Sequence, residues 1–536
     1  MRESATGLAA ALALILAPLA LASCPDYSAY SQQRHTPLSS GRYALSWQRP
    51  APACRTFNSS LVEAAITHIT AAIADPDLAR LFENSYPNTL DTAVRWRGRA
   101  ADNNEELAFI ITGDIDAMWL RDSANQLLSY LPLLGSNPSS SSSNSSDDDL
   151  ASLYRGVINL QARYVLTAPF CNSFQAPRES GIAAATNSAA ASDVVVPPYD
   201  AAAVFECKYE LDSLAAFLQL SAAYLSATGD GGFFARAASQ WAAAARAALA
   251  TARAMRDAPT YGDGDGHVVK SPYTFTRQTT RATETLANDG AGSPVGNGTG
   301  LVRSAFRPSD DSTLFQLLVP ANMMFARGLA GAAGVADAAG DGALAAEMRD
   351  FAAELGAAVE QHGVVRVPVL RGTGTGGTEM VYAYEVDGFG SAAIMDDANI
   401  PSLLAAPLLG YVNATDALYR RTRARTLAPP AAGGNPYFMQ GPVLSAVGGP
   451  HVGPGMAWPM ALIVQIMTSD DDAEITAALG QILRSTDGLG LIHESVNTFN
   501  ASQWTRQWFS WANGLFGQMI LDLHSRKPGI LKTSFQ

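Results

Sequence analysis

Between residues 211 and 225 the apolar positions fall at Leu211, Leu214, Ala215, Leu218, Ala222 and Leu225, the spacing of one helix face, and Gly229 ends the run. The same recurrence predicts helices near 60–74, 120–134, 150–166, 233–255, 313–332, 342–360, 398–409, 415–424, 457–468, 471–486 and 504–523. Two-residue alternation is scarce and is strongest at 364–370 and 380–384. The expected fold is mainly α. About a dozen helices without a sequence repeat fit a bundle or a toroid of helical hairpins better than a solenoid. An (α/α)6 barrel is thus a natural candidate, and two adjacent bundles fit the periodicity equally well.

Three stretches interrupt the pattern: 136–149 (SNPSSSSSNSSDDD), 171–207, and the glycine-rich run 288–300. Loops this long are functional or disordered, and the first, of low complexity, is expected as a solvated surface insertion. Glycine runs near 372–377 and 431–434 read as turns, since neither is followed by the Lys and Ser or Thr of a phosphate-binding loop. Residues 1–23 carry an early Arg2, an apolar stretch from Leu8 to Leu21 and small residues at Ala20, Ala22 and Ser23, the pattern of a signal peptide. An uncleaved signal anchor fits the same residues, and a lipoprotein cleavage box at 21–24 fits less well. The remainder, 24–536, is expected to be a single catalytic domain.

With hydrophobic residues at 48% and charged residues at 16%, the chain has ample material for a core. Its net charge of −13, with no basic run, speaks against nucleic acid as a partner. A neutral ligand read by hydrogen bonds suits such a surface. Sequons at Asn58, Asn144, Asn297, Asn413 and Asn500, together with the leader, point to the secretory pathway, either secreted or retained in the Golgi. Membrane association is expected only if the leader stays as an anchor. Cys24, Cys54, Cys171 and Cys207 allow two disulfides in an oxidising compartment. The pair Cys171–Cys207 is preferred because it would close a Pro-, Ser- and Ala-rich stretch and restrict the unfolded chain; two unpaired buried thiols are the alternative.

Four segments combine carboxylates, aromatics and turn residues densely: 113–123 (GDIDAMWLRDS), 205–214 (FECKYELDSL), 306–313 (FRPSDDST) and 490–517. Glycan hydrolysis needs two carboxyls as acid and base, planar hydrogen-bonding groups for hydroxyls, and aromatic faces for the C–H side of a sugar. Each element also has a plainer explanation. Asp212 lies in the first turn of a helix, where the dipole favours a carboxylate. Asp310 and Asp311 read equally as helix caps. Trp504, Trp508 and Trp511, at i, i+4 and i+7, form a core stripe before they form a sugar platform. Asp122 beside Arg121 fits a surface pair, and His493 and His451 fit structural histidines. Asp114, Asp116, Asp122, Asp310, Asp311, Asp396 and Asp397 supply oxygen ligands for calcium, but none forms an EF-hand loop, and no zinc set or serine-nucleophile elbow is present.

At these residues the sequence resembles glycoside hydrolase family 125, the exo-α-1,6-mannosidases. The resemblance runs through GDIDAMWLRDS at 113–123, KYELDS at 208–213 and RSAFRPSDD at 303–311. It continues through YEVDGFG at 384–390, MDDANIP at 395–401, GGPH at 448–451, HES at 493–495 and WFSWAN at 508–513. It implies an (α/α)6 barrel that hydrolyses terminal, α-1,6-linked mannose with inversion and without metal or organic cofactor. Mannose-containing glycans, N-glycan or mannan fragments, become the expected partners. Carried over by position, Asp212 takes the general-acid role and Glu494 the general-base role, with Asp116, Trp119, Arg121, Asp122, Arg307, Asp310, Asp397, Asn399 and His451 as the sugar-contacting shell. Two departures from the family pattern stand out: VNTFN at 496–500 replaces an acidic, proline-containing turn, and Met456 and Ala457 replace an aromatic and Ile. A helical-barrel α-glucosidase or trehalase and a non-enzymatic glycan-binding protein are the competing functions. A lectin has no need of an acid and base pair.

Overall fold

The computed structural model describes residues 24–135, 145–236, 239–262, 266–372 and 376–536, so the leader and most of the serine-rich stretch lie outside the described residues. Helices dominate. Leu211–Thr228 forms where its stripe predicts, and Gly229 ends it with a left-handed φ of +69° as its N–H closes on Leu225. Ser60–Ala72, Val319–Ala338, Gly342–His362, Ala417–Thr426, Pro459–Met467 and Asp472–Arg484 also follow the periodicity. The stretch 233–255 divides into Gly231–Ala235 and Trp241–Arg256, and 120–134 into Leu120–Leu128 and Leu131–Leu134. Helix Ser145–Thr167 begins inside the expected 136–149 loop.

Two expectations fail and one helix goes unexpected, each for an identifiable reason. Residues 398–409 are turns, because Pro407 has no N–H to give and the N–H groups of Ala406, Leu409 and Tyr411 close on carbonyls three, four and five residues back. Leu403 and Leu404 instead donate to the buried Asp396 carboxylate at 2.8 and 2.9 Å. In 504–523 the helix is Ser510–Arg526, preceded by strand Asn500–Thr505, so the three tryptophans share no stripe: Trp504 stacks on His493 at 4.5 Å while Trp511 enters the core. Helix Pro76–Ser85 was not expected, although Asp75 caps it by accepting from Asp77 and Leu78 and proline occupies its first turn.

The longer helices lie in two layers. Val319–Ala338 packs on Leu211–Thr228, which packs on Leu120–Leu128, which packs on Ser510–Arg526, which packs on Pro459–Met467. Outside them, Gly342–His362 covers Val319–Ala338, Asp472–Arg484 covers Pro459–Met467, and Pro76–Ser85 covers Ser510–Arg526. Helices covered from both sides need apolar residues all round, and Val319–Ala338 and Pro459–Met467 are buried over most of their length.

Short antiparallel sheets fix where these helices begin. Met118–Trp119 pairs with Ser173–Phe174, which pairs with Val204–Glu206, while Leu317–Leu318 pairs with Glu385–Val386. Met456–Ala457 pairs with Ser495–Asn497, which pairs with Asn500–Thr505. The strand pair Val364–Pro368 and Thr378–Tyr382 forms at the positions whose alternation predicts it. Cys171–Cys207 forms as preferred, and Cys24 joins Cys54.

Helix Ser510–Arg526 approaches Pro76–Ser85 closely at Gly517, where a Cβ would sit 2.6 Å from the Tyr86 ring and 2.8 Å from its Cα. Gly517→Val should therefore cost about 1–3 kcal/mol or more by overpacking. Urea unfolding should show the loss as a lower midpoint at unchanged slope.

Candidate active site

Several helix starts converge on one pocket. Arg121 and Asp122 stand in the first turn of Leu120–Leu128, and Glu210 and Asp212 cap and open Leu211–Thr228. Trp458 precedes Pro459–Met467, and Phe509 precedes Ser510–Arg526. The pocket, about 350 Å³, is lined by Trp119, Arg121, Asp122, Asp310, Asn399, His451 and Glu494 from the expected set. Thr112, Ile115, Ser309, Trp458, Arg506 and Phe509 complete the lining.

At the pocket wall Arg121, 2% exposed, donates through Nη1 to Glu210 Oε2 at 2.5 Å and to Asp212 Oδ2 at 2.9 Å. Glu210 also accepts from Asn172 and Ser213, each at 3.1 Å. Burial pushes the Glu210 carboxyl well above the usual range against the pull of Arg121, with the charges of Asp212 and Asp310 adding to the rise. Asp212 is fully buried, one oxygen on Arg121, and it does not line the pocket. That placement departs from the expectation of a general acid, because a proton donor must reach the leaving oxygen.

Asp310 does reach into the pocket. It sits at φ +69°, a left-handed conformation costly for a side-chain-bearing residue, in the turn where Arg307 N–H donates to Asp311 O and Asp310 N–H donates to Arg307 O. Burial raises its affinity for a proton, but Lys208, Arg121 and His451 outweigh burial and lower its pKa. Asp122, beside Arg121, is raised to about 6, mainly by burial.

Glu494 lies across from these groups on the sheet of Ser495–Asn497 and Asn500–Thr505. Thr505 donates to its Oε2 at 2.9 Å, and Arg506 Nη1 lies 3.5 Å from its Oε1. Arg506 is held by Asp114 and Thr112, each at 2.7 Å, and covers the Phe509 ring at 4.5 Å. Arg506 lies within the 490–517 segment, but its role is set by a turn at φ +48° that helical periodicity does not register. The two departures from the family pattern meet here: Met456 pairs with Asn497 and Ala457 with Val496.

The other expected shell residues stand behind or beside the pocket. Arg307 is tied to Glu385 at 2.6 Å, and Asp397 accepts from Ser309 at 2.6 Å, its pKa raised to about 6 chiefly by burial. Neither lines the pocket. Asp116 faces a neighbouring cavity and pairs with Arg95 at 3.3 Å. Asn399 contributes to the lining while its amide donates to Pro308 O at 2.7 Å.

Four of the buried polar atoms without a hydrogen-bond partner among the described residues belong to this lining: Trp119 Nε1, Trp458 Nε1, Arg121 Nε and Asp310 Oδ1. Native proteins rarely leave such groups buried and unpaired, since each costs about 1–3 kcal/mol. Together they offer three donors and one acceptor for a polar ligand at the pocket wall. Among the described residues, no three His, Cys, Asp or Glu side chains converge to hold a metal ion.

His451 Nδ1 lies 3.3 Å from Asp311 Oδ2. Burial alone would lower its pKa, but the Asp311 hydrogen bond and the charges of Glu494, Asp311 and Asp310 carry it up to about 9. Its folded value exceeds the unfolded value, so the stabilisation is full below about pH 6.5 and is lost as pH rises through about 9. NMR titration of the His451 imidazole should give a midpoint near 9 that falls in Asp311→Asn.

Residues 75–521 match the family model described as metal-independent alpha-mannosidase (GH125). The chain is 45% identical over 510 residues to the meiotically up-regulated gene 157 protein of Schizosaccharomyces pombe, covering 95% of this chain and 94% of that one. A solved structure from Streptococcus pneumoniae, a metal-independent α-mannosidase in a non-productive complex with α-1,6-mannobiose, superposes with a TM-score of 0.73 at 31% identity. That match covers 88% of this chain and all of the bacterial one. The pocket of carboxylates and indoles thus belongs to a glycoside hydrolase, and the chain is a member of the metal-independent α-mannosidase family, GH125.

Proposed function

We propose that the chain is an inverting exo-α-mannosidase on an (α/α)6 barrel, removing terminal α-1,6-linked mannose from glycans, with Asp310 as general acid and Glu494 as general base. The observation that carries this reading is that Asp310 and Glu494 line the same pocket, whereas Asp212 is sealed beneath Arg121. The α-1,6 linkage is supported by the ligand of the Streptococcus pneumoniae relative. The barrel is supported by the same superposition and by the two helix layers.

In this mechanism the terminal mannose lies between the Trp119 and Trp458 indoles. Asp310 gives its proton to the glycosidic oxygen as the C1–O bond breaks. Glu494 takes a proton from water as that water attacks C1 from the opposite face, so the sugar leaves with inverted configuration. Glu210, whose affinity for a proton burial raises well above the usual range, is the neighbouring carboxyl from which Asp310 is resupplied. A resting Asp310 of low proton affinity is then compatible with acid catalysis, because the proton is stored one group away. Arg121 fixes Glu210 and Asp212, and Arg506 orients Glu494. No step calls for a metal, in agreement with the family's description.

Two disulfides fit an oxidising compartment, and among the described residues no helix is long and apolar enough to cross a membrane. Asn58, Asn297, Asn413 and Asn500 are all exposed, while Asn144 lies outside the described residues. These features support a secreted or luminal glycoprotein.

Asp310→Asn should slow hydrolysis of α-1,6-mannobiose about 10²–10⁴-fold yet spare a dinitrophenyl mannoside, whose leaving group needs little protonation. Glu494→Gln should depress both substrates. A leaving-group-dependent loss in Asp212→Asn, with Asp310→Asn unaffected, would return the acid role to Asp212. Activity should also survive exhaustive EDTA treatment, and a loss restored by calcium would overturn the metal-free mechanism.

A further inference from the structure

Arg506, which lies against Glu494, is held in a strained conformation. It bears a side chain yet adopts φ +48°, and a residue stays in that region only where the structure around it over-determines its place. On one side the restraint comes from the segment after strand Glu106–Ile110. Asp114 and Thr112 accept from the guanidinium, Asp114 N–H donates to Trp508 O at 3.3 Å, and Ser510 N–H donates to Thr112 O at 3.1 Å. Gly113 permits this close fit, since a Cβ there would meet Trp508 O at 2.3 Å.

On the other side the restraint comes from the N-terminal segment, which precedes the residues that match the family model. The Cys24–Cys54 disulfide pins it, and Tyr27 opens its short helix Tyr27–Tyr30. The Tyr27 ring meets Trp508 edge-on at 4.8 Å. Its hydroxyl donates to Gln48 O at 2.9 Å and accepts from Asn88 Nδ2 at 3.3 Å, and Asn88 Oδ1 accepts in turn from Trp508 Nε1 at 3.1 Å. Gln507 donates to Ser28 O at 3.2 Å. Both residues that follow Arg506 are thus tied to the N-terminal segment, which leaves the turn little freedom to relax towards an ordinary φ. Neither Tyr27 nor Trp508 lines the catalytic pocket, so an effect of Tyr27 on turnover has to pass through the turn.

We infer that Tyr27 is a positioning residue for the reaction: it holds the Arg506 turn in its strained conformation and so keeps the guanidinium where it orients Glu494. The inference rests on the mannosidase reading above, in which Glu494 activates water. A base displaced by a fraction of an ångström slows the displacement at C1 but removes no contact to the sugar.

The test is a double-mutant cycle on Tyr27 and Arg506, with kcat and KM for α-1,6-mannobiose referred to the folded fraction seen by circular dichroism. Tyr27→Ala should lower kcat about tenfold and leave KM within about twofold. Because Tyr27 acts through Arg506, its loss should cost less than about twofold more once Arg506→Gln has removed the guanidinium. Tyr27→Phe keeps the ring on Trp508 and removes only the hydroxyl, so it carries the test if Tyr27→Ala does not fold; it should lose about threefold in kcat, with the same non-additivity. Losses that multiply in the double variant, a raised KM at full kcat, or full kcat in Tyr27→Phe would each overturn the inference. Glu494→Gln separates that result from failure of the base assignment. If it abolishes turnover while the Tyr27 and Arg506 losses multiply, the positioning role alone falls; if it keeps full turnover, the base assignment falls and the positioning role with it.

Discussion

The guanidinium of Arg121 is shared by two carboxyls at the start of a neighbouring helix, Glu210 at 2.5 Å and Asp212 at 2.9 Å. All three side chains are almost wholly buried. Removing one member of such a cluster leaves an uncompensated buried charge and costs about 3–5 kcal/mol, so the cluster locks helix Leu120–Leu128 to helix Leu211–Thr228 at their N-terminal ends. The lock sets everything above it. It brings Trp119 and Asp122 to the pocket wall and fixes Glu210 beside Asp212.

The geometry also explains why the site sits at helix starts. An N-terminal turn has unpaired N–H groups and the positive end of the dipole, which stabilise carboxylates and polar ligands there. Short strands deliver each helix start to the same place: Met118–Trp119 leads into Leu120, Leu317–Leu318 into Val319, and Met456–Ala457 towards Pro459. Unpaired indole N–H groups, the strained Asp310 backbone and the buried carboxyls all reduce stability locally. The two apolar helix layers supply the compensating burial.

Much of this was legible in the chain. Helical periodicity located Leu211–Thr228 and Val319–Ala338, because both keep an unbroken apolar pattern through their length. It failed at 398–409, where Pro407 cancels the pattern, and at 504–523, where a strand and a turn carry residues that happen to fall at helical spacing. Glu494, His451, Arg121 and Asp122 were found from motif residues that fold into the lining. The roles of Asp212 and Asp310 were not separable in that way. In sequence both read as acidic residues at helix starts, but the helix after Asp310 begins only at Val319, and burial and pocket lining distinguish a clamp on Arg121 from a group in the pocket. Arg506 escaped notice because it acts through a partner remote in sequence, Asp114.

The central claim is that Asp310 and a Glu494-bound water act on opposite faces of the sugar in one displacement. Proton NMR of the first turnovers on α-1,6-mannobiose tests it most directly, because the anomeric signals resolve before mutarotation mixes them. The account predicts that β-mannose appears first and α-mannose grows in later. Initial release of α-mannose would mean a double displacement through a covalent intermediate, and would contradict the assignment of Glu494 as a base that holds water.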